Sequence, residues 1–451
     1  MKYPDADRVR SPGAPDCAGA DVPRMEDDAA SGPDLNSSSG AGIREGTMGN
    51  PRMGQAHAAS PKRRLILCFD GTWNTPESQT NVSRLYSALA DAHSGCPDQL
   101  KFYDQGVGTE FGQFLRGGIR GDGLVDNILQ GYAWLVGQYE SGDEIFLFGF
   151  SRGAFTARSL AGLINRCDVV RRSALPADCV GEAKVSGCAL VKDAWAKYRI
   201  KAPPGQPGRA LPAVAAFRAE NSWDVRIKLV AVWDTVGALG IPTTVPIPAG
   251  LRGDYSFHDT GLGQIVETAL HAVAIDEHRE DYGAVLWTDR LEGQRVEQRW
   301  FPGAHTNVGG GYEDDLLPDP PLHWIASEAA KLGVEFLGPK GAVPGATSCA
   351  AELPPNFGLT GTEYLSPVRD SYQEFLAGAY SAYMRARGVV RYFLRKANKI
   401  DGRHYRPMLV AGVAEAVDET ANQKWQADQE YRPPNLASAG RTTSAGPRRE
   451  R

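Results

Sequence analysis

The chain has 451 residues, 42% hydrophobic and 23% charged, enough apolar material for at least one full core. Its 49 basic against 54 acidic residues leave a net charge of −5, without the basic footprint that duplex binding needs, so no nucleic-acid partner is expected. Seven scattered cysteines with no C-x-x-C pair support neither a zinc ribbon nor a disulfide framework. No apolar run reaches the length of roughly 18 residues that a membrane-spanning helix requires.

In chain order, residues 1–60 come first, rich in Gly, Ala, Ser, Pro and Asp with Tyr3 as their one aromatic. Such a segment cannot offset its ordering entropy by burial, and is expected to be disordered. It lacks the apolar region of a signal peptide, so a soluble cytoplasmic protein is the expectation. Leu65 to Phe69 is then a short apolar run that stops at Asp70-Gly71-Thr72. A helical pattern over Asn127–Tyr139 precedes a second run, Glu144 to Phe150, and another helix is predicted from Ala154 to Asn165. The stretch between Cys167 and Ile227 is long and poorly patterned, which suits a lid or an insertion. Ile227 to Trp233 is a third apolar run, and Thr260–Ala274 shows helical spacing. Val296 to Phe301 is a fourth, less regular run, followed by a helix over Pro321–Leu332.

Short apolar runs bounded by turn residues read as buried parallel strands. Their alternation with helices predicts a three-layer α/β domain over residues 61–335, with a mostly parallel central sheet. Right-handed crossovers place the carboxyl ends of its strands along one edge, where ligands bind in such sheets. A mostly helical extension over 336–432 and a disordered basic tail over 433–451 complete the expected organisation.

Gly149-Phe150-Ser151-Arg152-Gly153 matches G-x-S-x-G. About 0.3 such matches would arise by chance, but here a strand ends at Phe150 and a helix begins at Ala154, the setting of a nucleophile elbow. Ser151 is therefore the candidate nucleophile. The plain alternative is a glycine-rich β–α turn, such as one that holds a phosphate. A serine hydroxyl needs a base, and the base a carboxylate to orient it. Asp234 follows the third strand, although an ordinary strand-end aspartate is the commoner fate of such a residue. Of the eight histidines, His305 alone follows a strand directly, within Phe301 to Tyr312, and the order Ser…Asp…His suits an α/β-hydrolase. His271 and the others are expected to be core or solvated. For the oxyanion, the N–H of Arg152 and that of Gly71 or Thr72 are the candidate donors. Neither a cofactor nor a metal site is expected, Asp70 having no second acidic cluster beside it in sequence.

Leu67 to Asn74, Tyr103 to Thr109, Gly149 to Ala154, Val232 to Gly237, His271 to Glu277 and Phe301 to Tyr312, in this order, resemble a bacterial and fungal family of uncharacterised α/β-hydrolases. Its lipolytic members include type VI secretion phospholipase effectors. The resemblance implies a Ser151–Asp234–His305 triad acting on glycerophospholipid esters, and export by a type VI system with secretion-machinery or immunity partners. The family usually carries an acidic residue two positions after the histidine; here that position is Asn307. The expected activity is hydrolysis of carboxylic esters, with a lipid or another ester as substrate. The alternatives are a catalytically silent fold that binds a partner, and a phosphate-handling enzyme using Ser151 and Arg152.

Residues 385–406 carry eight cations against Asp401, with Val389, Phe393, Ala397 and Ile400 at helical spacing. A basic amphipathic helix of this kind could touch an anionic membrane surface. The plainer expectation is a packed surface helix.

Overall fold

Leu65, Leu67 and Phe69 face one core of the protein while Ile66 and Cys68 face another, and all five are inaccessible to solvent. Such two-sided burial explains why strand β1 (Arg64–Phe69) is continuously apolar, where a half-buried strand would alternate. The same holds for β3 (Glu144–Phe150), with Ile145 and Leu147 on one side and Phe146, Phe148 and Phe150 on the other. The computed structural model describes residues 62–440, except 72–77, 93–95, 97, 107–121, 180–184, 204, 238–260, 339–348, 351, 375–377, 379 and 387–402.

Four more strands complete the centre: β2 (Gln99–Asp104), β4 (Ile227–Trp233), β5 (Val266–Ala274) and β6 (Arg295–Phe301). A seventh, β7 (Glu415–Val417), joins at the edge. Their order is β7-β6-β5-β4-β3-β1-β2, and every pairing is parallel. Helices α1 (Asn81–Ala88), α2 (Asp122–Gln138) and α3 (Arg152–Cys167) follow the first three strands. The core that holds Leu65 and Leu67 is closed by α2 and α3, and the opposite core by α1 and α7 (Asp319–Lys331). This is a three-layer α/β-hydrolase-like fold. Strand order reverses between β1 and β3, so the crevice above their carboxyl ends is the place where this architecture leaves room for a ligand.

The poorly patterned stretch is ordered where it is described. Its helices α4 (Ala189–Tyr198) and α5 (Pro212–Asn221) add Val191, Ala194, Tyr198 and Phe217 to the α2/α3 core. At its root Asp168, buried and at φ 57°, accepts from both Arg209 (2.8 Å) and Arg218 (2.5 Å).

Several sequence expectations are corrected. Val266–Ala274 is a strand, β5, where a helix was predicted. It lies between β4 and β6 with both faces covered, so its apolar residues carry no period-two signal and fall by accident at helical spacing. A disulfide joins Cys179 to Cys188, nine residues apart within the insertion, a pairing that no spacing signature announces. The extension after residue 335 also contributes a strand, since β7 pairs with β6 in the main sheet. After β7 come α8 (Glu419–Ala427) and α9 (Pro434–Ser438). The latter falls in the expected disordered tail, yet Leu436 packs with Val273, Ile275 and Trp300. Residues 1–60 and 441–451 lie outside the described residues.

Candidate active site

The turn after β3 is built by two glycines. A Cβ on Gly153 would stand 2.2 Å from the carbonyl oxygen of Phe69, and one on Gly149 only 2.5 Å from that of Gly153. Without side chains there, the start of α3 packs against the end of β1 and folds back over β3, and Ser151 between the two glycines holds φ 58°, ψ −121°. Its N–H donates to the carbonyl of Trp233 at 3.1 Å, which ties the turn to β4. The Ser151 hydroxyl lies 2.7 Å from Nε2 of His305.

His305 opens α6 (His305–Gly309), directly after β6. Its ring stacks near Phe150 and meets Tyr282 edge-on, with centroids 4.7 and 5.2 Å apart. Gly309 makes this packing possible, since a Cβ there would sit 1.9 Å from the Phe150 ring. The Nδ1 of His305 is 2.6 Å from Oδ2 of Asp234, which follows β4 and is itself at φ 39°. Three side chains that the sequence singled out thus form one hydrogen-bonded chain on the carboxyl edge of the sheet. All three are buried, Ser151 at 7% exposure, His305 at 5% and Asp234 at 0%.

Burial pushes His305 below the ordinary histidine value, and the hydrogen bond and charge of Asp234 recover only part of that shift. The ring is therefore a neutral base at rest, with Nδ1–H turned to Asp234 and Nε2 free to accept from Ser151. Burial also opposes ionisation of Asp234, but the charge of Arg406 and the bonds to His305 outweigh it. They hold the Asp234 carboxyl well below the usual carboxylate range. Its Oδ1 also accepts the Ala274 N–H at 2.9 Å.

Behind His305, the fully buried Glu277 accepts the His305 N–H at 3.3 Å, the Ser371 hydroxyl at 3.0 Å and two bonds from the Arg279 guanidinium, each 2.8 Å. Burial works against its charge, yet Arg279 brings the Glu277 carboxyl down to about 2. Asn307, where the resemblance leads one to expect an acid, is a structural clip. Its Oδ1 accepts from Ala304 and Arg369 and its Nδ2 donates to Asp315.

His271 is a core histidine, as expected, but it stands beside the site. Its Nε2 accepts the N–H of Thr235, the residue after Asp234, at 3.0 Å, and its Nδ1 faces Gln298 at 3.3 Å. Burial first, then the charge of Arg158, brings its pKa down to about 3, so it stays neutral.

The oxyanion candidates divide. Arg152 supplies the first N–H of α3, at the positive end of that helix. Gly71 is corrected: its N–H donates to Oδ1 of Asp70 at 2.6 Å and so points at a carboxylate. Thr72 lies outside the described residues. Asp70 also accepts from the hydroxyls of Thr80 (2.6 Å) and Tyr103 (2.7 Å), binding the end of β1 to α1 and β2.

Arg406 is the site residue that sequence reasoning missed. It lies in the basic segment 385–406, for which a packed surface helix is the plainer expectation and a membrane contact the alternative, yet it is 2% exposed and grips Asp234 with both terminal nitrogens. No local pattern could reveal a partner 172 residues away. Arg403 of the same segment pairs with Asp370 at 2.6 Å, so it too is held against the protein. Arg385 is exposed, and residues 387–402 lie outside the described ones.

A family profile described as "T6SS, Phospholipase effector Tle1-like, catalytic domain" matches residues 63–328. An uncharacterised protein of Saccharomyces cerevisiae is 28% identical over 267 residues, covering 54% of this chain. The chain spans 36% of the length of that curated relative. Among solved structures, an uncharacterised protein from Pseudomonas aeruginosa aligns at 16% identity and a TM-score of 0.35, over 85% of this chain and 60% of the other. The Tle1 effector bound to the VgrG spike of the type 6 secretion system aligns at 17% and 0.31, over 56% and 52%.

Proposed function

Because the chain belongs to the Tle1-like catalytic-domain family of type VI secretion phospholipase effectors, we propose that it is a serine hydrolase of carboxylic esters, with phospholipids as its substrates. The observation that carries this reading is the bonded chain Ser151–His305–Asp234, with the serine on a strained elbow. In the proposed reaction Ser151 Oγ attacks the ester carbonyl while His305 Nε2 takes its proton. Asp234 stabilises the imidazolium that forms. The developing oxyanion meets the Arg152 N–H at the start of α3, where the helix dipole favours negative charge. Protonated His305 then gives its proton to the departing alcohol. Water, deprotonated by the same ring, attacks the acyl-Ser151 ester; the acyl bond to Oγ breaks, His305 returns the proton to Ser151 Oγ, and the fatty acid departs. No step calls on a cofactor.

Delivery by a type VI system, and with it contact with a secretion machine or an immunity protein, extends the proposal from the family to this chain. Among the described residues no helix is long and apolar enough to cross a membrane. The test is active-site labelling. A fluorophosphonate should modify wild type at Ser151 and leave Ser151→Ala unmodified. Turnover of a short-chain ester should fall roughly 10⁴-fold or more in that variant. Full turnover by folded Ser151→Ala would end the reading. Mass analysis of products from mixed phospholipid vesicles would then test the substrate class.

A further inference from the structure

We propose that Arg406 is a positioning residue of this site, a guanidinium fork that fixes the Asp234 carboxylate so that it can orient His305. The inference rests on the hydrolytic reading above and adds to it a residue from outside the family-matched segment. Arg406 Nη1 is 2.6 Å from Asp234 Oδ1 and Nη2 is 3.0 Å from Oδ2, a two-pronged contact that sets both the place and the plane of the carboxylate. The fork is itself anchored, since Nη1 also donates to the Ala274 carbonyl at 2.9 Å and Nη2 to that of Tyr282. Arg406 thereby spans the end of β5 and the turn bearing Tyr282, whose ring lies against His305.

The arrangement leaves Asp234 little freedom. Its Oδ1 receives Ala274 N–H and Arg406, and its Oδ2 receives His305 and Arg406. Asp234 also holds a left-handed backbone at φ 39°, which surrounding structure must impose. A carboxylate with no solvent exposure needs a counter-charge as well, and His305 cannot supply one while it is a neutral base. Arg406 does so without taking the proton site, because the imidazole keeps its own approach to Oδ2.

Charge and geometry can be separated by experiment. His305 is faced by Asp234 from the end of β4, by Glu277 and Arg279 from the turn after β5, by Tyr282, and by Ser151. Glu277 and Arg279 pair with each other, so Arg406 is the cation that offsets Asp234. Lysine at 406 keeps that charge and loses the fork, whereas glutamine loses both.

Full-length Arg406→Lys, Arg406→Gln and Ser151→Ala are compared with wild type by near-UV dichroism, ester turnover and pH profile. Arg406→Lys is expected to fold and to lose about 10- to 100-fold in kcat, with KM within about twofold of wild type. The acid limb of its kcat/KM profile should stay where wild type has it. Arg406→Gln should show a larger loss and an acid limb moved to higher pH, because His305 then faces an uncompensated carboxylate. If the Gln variant does not fold, the Lys variant carries the test alone. A folded Lys variant with wild-type kcat, or with its loss confined to KM, overturns the inference even when Ser151→Ala is inactive. Wild-type turnover by Ser151→Ala sinks the hydrolytic reading, and this inference with it.

Discussion

Ser151 at φ 58° and Asp234 at φ 39° are both held in a region that L-residues avoid, at about 1–3 kcal/mol each. Both follow buried parallel strands, and in each case the tight turn lifts a polar side chain off the end of the strand toward His305. The geometry asks little of His305 except that it be neutral. Burial lowers its pKa below the ordinary value near 6.5, and Asp234 restores only part of the difference. If His305 is the base, the acid limb of kcat/KM should lie below pH 6.5, and activity should vanish as pH falls through that limb, because imidazolium cannot accept the Ser151 proton. Above the limb the rate should level off. Steady-state kinetics of a soluble ester across pH 4–9 would check this, and an acid limb well above 6.5 would contradict the burial argument.

At the scale of elements, what could be read from the sequence follows from which signals are local. The strands β1, β3 and β4 announce themselves because each is a short apolar run ended by turn residues. Ser151 and Asp234 could be picked out because they sit at those ends, and His305 because it comes directly after β6. β5 misled because a strand covered on both faces has no alternation to show. Arg406 was invisible in its role because its partner lies on β4's turn, far along the chain, while its neighbours in sequence suggest only a basic helix. His271 on β5 illustrates the cost of such an interior. Its pKa of about 3 in the folded protein compares with about 6.5 for an ordinary histidine. As pH falls from 6.5 toward 3 the unfolded chain takes up this proton and the folded one does not, so stability drops by about 1.4 kcal/mol per pH unit. His305, also lowered, acts in the same direction. Glu277 joins only below its usual value near 4.5. Urea unfolding of wild type and His271→Gln between pH 6.5 and 5 isolates the contribution, since the raised carboxyls Asp104 and Asp276 are common to both. The variant should lose about one proton's worth of slope; equal slopes would show that His271 titrates normally.

For the molecule as a whole, the chain returns to its own sheet after residue 400. Met408, Ala421, Tyr431 and Leu436 close a third core over Val273, Ile275 and Trp300, at the edge where β5 and β6 lead into the site. Tyr431 donates to Asp276 at 2.9 Å, and the same Asp276 oxygen accepts the N–H of Gly303, two residues before His305. The last described helix, α9, caps this core. Leu436 is 2% exposed, and Asn435 Nδ2 donates to the Ile275 carbonyl at 2.9 Å. Ending the chain after Arg432 should therefore do more than trim a tail. It uncovers the apolar side chains beneath Leu436, at about 1.5–3 kcal/mol for that one residue. It also leaves the Ile275 carbonyl without its side-chain donor, a further cost on the order of 1 kcal/mol. The expected result is a stability loss of about 2–5 kcal/mol, read as a lower urea midpoint with the slope unchanged. Ester turnover without denaturant should persist, because Ser151, His305, Asp234 and Arg406 all precede the cut. An unchanged midpoint would mean that α9 contributes nothing to the core, whereas lost activity in a folded truncation would mean that it also holds the His305 turn in place.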